Sequence, residues 1–147
     1  MYKKLKDKIK HHFQEVMHVK TSPNSIALGF AIGAFIAILP TFGFGLLIGL
    51  LVILIFQKVN KFSMIIAFAV FNPLMLTPIY LLSYKLGYLL FGNASVVSFN
   101  IVLLDQIYHF SRRFLVGNLI IAIIISIPCY FLIRYLVWLY RKVKQKK

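Results

Sequence analysis

Pro40-Thr41-Phe42-Gly43-Phe44-Gly45 and Asn72-Pro73-Leu74-Met75-Leu76-Thr77-Pro78 sit near the middle of two long apolar stretches, Ile26 to Phe56 and Phe62 to Phe91. How these two passages are read decides the fold. A proline inside a helix removes a backbone donor and clashes with the preceding turn. In lipid an unsatisfied backbone group costs several kcal/mol, so such breaks persist only where protein or a water-filled cavity shields them. Two broken segments of similar length in one short chain point to a buried polar spot inside a membrane, where many transporters hold their substrate.

Composition agrees with that setting. Of 147 residues 61% are hydrophobic, against about 45–50% in soluble domains. The apolar runs also exceed the roughly 20 residues needed to cross a hydrocarbon core. The fold class expected is an all-α membrane protein.

The chain carries 17 Lys+Arg against 3 Asp+Glu. A basic excess of this size raises nucleic acid as a partner, but the charges sit mainly at the two ends. Lys3, Lys4, Lys6, Lys8, Lys10 and Lys20 precede the first apolar run; Arg141, Lys142, Lys144, Lys146 and Lys147 follow the last. Flanking basic residues are what the positive-inside rule places in the cytoplasm, and they favour anionic headgroups. No nucleic acid is expected. The single cysteine, Cys129, excludes an intrachain disulfide and reads as a small buried hydrophobe. The N-terminal apolar run lacks an A-x-A-like cleavage site and reads as a retained membrane segment.

Residues 1–20 read as a cytoplasmic amphipathic surface helix. Tyr2, Leu5, Ile9, Phe13 and Val16 form one apolar stripe, and lysines fill much of the rest. Ser22-Pro23 then supplies a helix start. Residues 21–92 form the membrane core with its two broken or re-entrant segments, around Pro40 and Asn72-Pro73. Each arm of the first, about 14 residues, reaches roughly 21 Å, which suits a helical hairpin. Lys58-Val59-Asn60-Lys61 is placed at the cytoplasmic face; 62–91 is either one broken crossing or a re-entrant hairpin. Residues 93–113 read as an interfacial linker. Asn93-Ala94-Ser95 matches a glycosylation sequon only at chance level. Residues 114–140 read as a C-terminal transmembrane helix, kinked at Pro128, with Arg134, Tyr135, Trp138 and Tyr140 as an interfacial anchor. Residues 141–147 are a basic cytoplasmic tail. Basic residues at both termini imply an even number of crossings, and four are expected in a bacterial inner membrane.

Ser22-Pro23, Ile26 to Gly33, and Pro40 with Gly43 resemble the opening motif of the Domain of Unknown Function 2062 family. Asn60, Asn72-Pro73-Leu74, Thr77-Pro78, Tyr80, Tyr84 and Gly87 are similar to its second motif. The resemblance covers roughly residues 20 to 92, with Lys58 near a position where members often show arginine. It implies a small bacterial inner-membrane protein, some of whose relatives are fused or adjacent to glycosyltransferases. It implies no particular activity.

The candidate substrate-binding residues are Pro40, Thr41, Gly43, Asn72, Pro73, Thr77, Pro78 and Lys85. A broken helix offers freed amides to an anionic headgroup or phosphate; equally, it is a kink satisfied by Thr77 and neighbouring helices. The Pro40 turn, with Gly45, is a substrate-lining loop or a plain hairpin tip. Lys85 is the only charge well inside the second segment, yet it lies within snorkelling reach of the interface. Gly29, Gly33 and Ala37, four apart, read as a helix-packing face. Asp7, His11, Glu15 and His18 share a helix face but read as solvated, and no metal or other cofactor is expected. With so few acidic residues no catalytic constellation exists, and an enzyme is not expected. The leading function is a transporter-like protein binding or translocating an anionic lipid-linked substrate. Its rival is a non-catalytic scaffold or accessory subunit for a glycosyltransferase or other envelope enzyme. An ion channel is disfavoured for want of an acidic ring. Expected partners are membrane lipids, such an enzyme, and further copies of the chain, since so short a chain encloses little alone.

Overall fold

The computed structural model describes residues 4, 6–8, 10–11, 22–56, 58–93 and 100–146. Its elements, all α-helical, are α1 (Pro23–Ile38), α2 (Gly45–Ile55), α3 (Lys61–Val70), α4 (Pro73–Phe91) and α5 (Val102–Gln145). The described residues contain no strand. The described N-terminal positions, Lys4, Lys6, Asp7, Lys8, Lys10 and His11, are helical and exposed. The apolar stripe expected on that helix, Glu15 and His18 of the polar face, and Ala94-Ser95 of the sequon lie outside the described residues.

Local chemistry accounts for where each helix starts and stops. Ser22 caps α1 by accepting from the Ser25 amide at 3.1 Å, and Pro23 takes the first-turn position where a missing donor is harmless. Leu39 is extended (φ −62°, ψ 142°), as a residue before proline must be. The turn then closes through the Thr41 amide to Leu39 O at 2.8 Å and the Phe44 amide to Thr41 O at 2.9 Å. It passes through positive φ at Phe42 (48°) and Gly43 (94°), where only glycine sits without strain. Asn60 caps α3 through the Ser63 amide at 2.9 Å. Asn72, forced extended by Pro73, caps α4 through the Met75 amide at 3.1 Å.

Packing follows from small residues. α1 and α3 run in the same direction. The Asn60 amide donates to Ser25 O at 3.2 Å, and Ser63 Oγ donates to Ile26 O at 2.7 Å. Gly29 rests on the Asn60 carbonyl, and a Cβ on Gly33 would stand 2.8 Å from Met64 O. Small residues here let backbones touch, the means by which helices associate in lipid. α5 runs against α1, with Asn118 at Ile38 and the groove of Arg134 and Trp138 at Pro23. α4 also runs against α5, with Tyr80 edge-on to Phe114 at 5.4 Å and Tyr84 stacked on Phe110 at 5.3 Å. α2 is more lightly attached, with Gly45 and Gly49 over Phe68. One apolar cluster, Phe30, Ala34, Ile38, Ala67, Phe71 and Ala122, joins α1, the end of α3 and α5.

One boundary differs from expectation. Residues 102–113, expected as a linker ahead of the last helix, form the first turns of α5, a single 44-residue helix in which Pro128 is accommodated. The reason is local and tertiary together. No glycine or proline interrupts residues 102–116, and Phe110 and Phe114 stack on each other at 5.9 Å while lying against α4.

α4 and α5 are long and apolar enough to cross a membrane, and only 11% and 22% of their most apolar windows are buried within the chain. The core helix of a soluble protein would be mostly covered. Here the apolar surface faces outward, as on α2, where Leu46, Leu47, Leu50, Leu51, Leu54 and Ile55 are all exposed.

Candidate functional site

The residues beside the two breaks pack on one apolar cluster. Leu39, at the end of α1, and Leu76, in the first turns of α4, both pack on the cluster that contains Phe71. Among the described residues no hydrogen bond links the Pro40 turn to Asn72 or Thr77. Pro40 and Thr41 are half-buried and Gly43 is exposed; Thr41 Oγ1 lies against Gly45.

At the second break Asn72 Oδ1 and the Thr77 hydroxyl proton are used locally. Asn72 holds the α4 cap, and Thr77 Oγ1 donates to Pro73 O at 2.9 Å. An N-cap of this kind contributes about 1 kcal/mol. Pro78 is exposed within α4; it leaves Leu74 O without its usual helical donor. Lys85 is exposed on α4, two residues before Gly87. None of the cavities at Leu28, Pro23 or Phe35 is lined by any of these residues.

Gly29 and Gly33 meet α3 as described above, and Ala37 packs half-buried on the central cluster. Two further glycines make a closer approach. A Cβ on Gly87 would collide with the Arg113 carbonyl, and one on Gly117 with the Ser83 carbonyl. α4 and α5 therefore touch backbone to backbone.

The buried polar centre is one that sequence reasoning passed over. Asn118 is fully buried, donating from Nδ2 to Ile38 O at 3.2 Å and to Ser83 Oγ at 3.3 Å. Ser83 Oγ in turn donates to Ile79 O at 2.8 Å. Asn118 thus ties α5 to α1 and α4 at once. Its Oδ1 and the Ser126 hydroxyl are buried without a hydrogen-bond partner among the described residues. The available signal was an amide standing alone in the apolar run Leu115 to Ile127.

Charge is divided between the ends of the bundle. At one end Ser25 Oγ donates to Lys58 O at 2.5 Å, binding the α2–α3 link to the first turn of α1. The same turn forms, with the distal part of α5, a groove of about 400 Å³ lined by Pro23, Asn24, Phe131, Arg134, Tyr135 and Trp138. Tyr135 and Trp138 stack at 6.1 Å, and Lys142 Nζ sits 4.8 Å over the indole. At the other end Arg112 lies 4.5 Å over Phe91 and Arg113 5.1 Å over Tyr88, clasping the last turn of α4. His109 and Asp105 approach at 3.5 Å on the same part of α5. No group of three metal-ligating side chains occurs among the described residues.

Comparison with known proteins adds one finding: the family described as "uncharacterized protein conserved in bacteria" (DUF2062) matches residues 6–146. The match runs well beyond the stretch at 20 to 92 where the motifs lie. No curated protein and no solved structure matches the chain. The motif residues have structural work in common: Ser22, Asn60 and Asn72 are helix caps, Tyr80 and Tyr84 pack on α5, and Gly29, Gly33 and Gly87 are points of close approach.

Proposed function

Because this chain belongs to the Domain of Unknown Function 2062 family, a bacterial one, we propose that it is a multi-pass inner-membrane protein that binds an anionic lipid or lipid-linked substrate at its cytoplasmic end. The observation that carries the reading is the gathering of basic segments at one end of the bundle. Pro23 and Asn24, Lys58, and Arg134 with Lys142 belong to distant parts of the chain; a hydrogen bond from Ser25 joins the first two, and a shared groove brings Pro23 and Asn24 beside Arg134. Arg113 and Arg134 lie about 31 Å apart along α5 at 1.5 Å per residue, the thickness of a hydrocarbon core. In this reading α1, α2, the broken passage α3–α4, and α5 make four crossings, with both termini on the basic, cytoplasmic side.

Orientation is tested by impermeant thiol reagents on Lys3→Cys and Gln145→Cys in a Cys129→Ala background. Both positions should react only after the membrane is opened. Reaction of either in intact cells overturns the scheme.

Binding is assigned in this reading to the Arg134 groove, which brings together distant parts of the chain, while Asn72 Oδ1 and the Thr77 hydroxyl proton serve α4 itself. Each basic residue near an anionic surface is worth about 1 kcal/mol, so Arg134→Glu should weaken retention of phosphatidylglycerol by at least about fivefold. Retention of phosphatidylcholine should not change. Equal retention of both lipids by the unaltered chain would sink the reading.

A second reading has its own support. The apolar cluster between the breaks and the outward leucines of α2 suit a scaffold that docks further copies of itself, a glycosyltransferase or another envelope enzyme. A chain that shows no lipid preference but co-purifies with such an enzyme through α2 would favour it. Passage of the substrate across the membrane would be a further step, and the breaks are the feature it would use.

A further inference from the structure

The outer face of α1 carries an open apolar trough with one charged mouth. Between α1 and the end of α2 lies a cavity of about 670 Å³, walled by Leu28, Ile32, Ile55 and Phe56, with Lys58 beside it. A second cavity of about 300 Å³ shares Leu28 and Ile32 and is otherwise walled by Phe35, Ile123 and Ile127 of the α1–α5 seam. Leu28 and Ile32 line both, so the two cavities adjoin at these side chains of α1. Their volumes fall in the range of about 300–1,000 Å³ typical of ligand sites.

The lining decides the chemistry of the occupant. Lys58 is the one charged residue among the lining groups of the two cavities, and the remainder is almost wholly apolar. An amphiphile with an anion at one end and a long hydrocarbon at the other satisfies both parts. The backbone of Lys58 is anchored beside the cavity, because its carbonyl accepts from Ser25 Oγ at 2.5 Å. We infer that this trough seats the hydrocarbon chain of a long-chain anionic lipid, with Lys58 at the headgroup. The inference deepens the reading of a lipid-binding basic end and rests on it: Arg134 and Lys58 flank the first turn of α1, and the trough adds selection by chain.

The test uses the full chain in neutral detergent, titrated with dioleoyl phosphatidylglycerol, dihexanoyl phosphatidylglycerol and dioleoyl phosphatidylcholine, with bound lipid counted by native mass spectrometry. The long-chain anionic lipid should be retained about tenfold better than its short-chain counterpart, the difference arising from chain contacts in the trough. Ile32→Trp, which fills the trough, should abolish that chain-length preference while leaving the preference for phosphatidylglycerol over phosphatidylcholine at equal chain length. Leu28→Trp, at a half-open position, serves as a second blocking variant should the first fail to fold. Leu51→Trp, on the outward face of α2, should change nothing. Chain-length preference surviving in both blocked variants overturns the trough and leaves the basic-end reading standing. Equal retention of the two long-chain lipids by the unaltered chain overturns the basic-end reading and this inference with it. Loss of a dimer in the blocked variants, with lipid retention unchanged, assigns the trough to a second copy of the chain and also overturns the inference.

Discussion

Gly87→Ala and Gly117→Ala are each expected to pull α4 and α5 apart and leave little stable protein. The added methyl would fall on the carbonyl of Arg113 in the first case and of Ser83 in the second. Backbone oxygens cannot rotate away as a side chain does, so relief requires moving a whole helix. Overpacking costs typically about 1–3 kcal/mol and occasionally more, and collision with main chain belongs at the upper end. The same shift would separate Tyr84 from Phe110 and Arg113 from Tyr88. Gly49→Ala is the comparison: its nearest neighbours are Phe68 Cε2 at 3.0 Å and Met64 Sδ at 3.2 Å, both on side chains able to turn. That change should cost less than about 1 kcal/mol. Denaturation of purified protein in mixed micelles measures the series, and equal midpoints for the three variants would refute the backbone contact. The double variant Gly87→Ala/Gly117→Ala should cost less than the sum, since one separation relieves both collisions.

Asn118→Asp is expected to be nearly as damaging at neutral pH, and for a different reason. The carboxylate would face Ile38 O and the Ser83 hydroxyl in a fully buried position, replacing a donor with a charge. Leaving an uncompensated buried charge costs about 3–5 kcal/mol. Protonation removes the charge, so acidification should restore part of the lost stability and alkaline pH should remove it. Asn118→Leu is milder. Hydrogen bonds between helices in lipid average about 0.6 kcal/mol and reach about 1.7, and leucine also removes the unpartnered Oδ1. A loss of roughly 1 kcal/mol is expected for it. Unfolding midpoints measured across pH separate the two variants; an Asn118→Asp protein as stable as the parent at every pH would show that Asn118 is not the tie between α1, α4 and α5.

The chain's linear order determines much of this architecture, because helix ends are local chemistry. Pro40 and Pro73 each force the preceding residue out of helix, and Ser22, Asn60 and Asn72 each accept an amide three residues on. The all-α class follows from apolar runs whose backbone groups must be satisfied within lipid. The spacing of Gly29 and Gly33 announces a close face. Local spacing does not tell what meets that face, nor that residues 102–113 extend α5. The rest depends on the rotation and register of one helix against another. Asn118 reaches a carbonyl 80 residues away and a hydroxyl 35 away. Gly117 owes its role to Ser83, and the basic end exists because Ser25 finds Lys58 while Pro23 finds Arg134. Asn72 Oδ1 and the Thr77 hydroxyl proton each make a bond within the helix that Asn72 caps. A polar side chain is committed by whatever partner lies within about 3 Å, and for groups in different helices only the tertiary structure brings that partner into place.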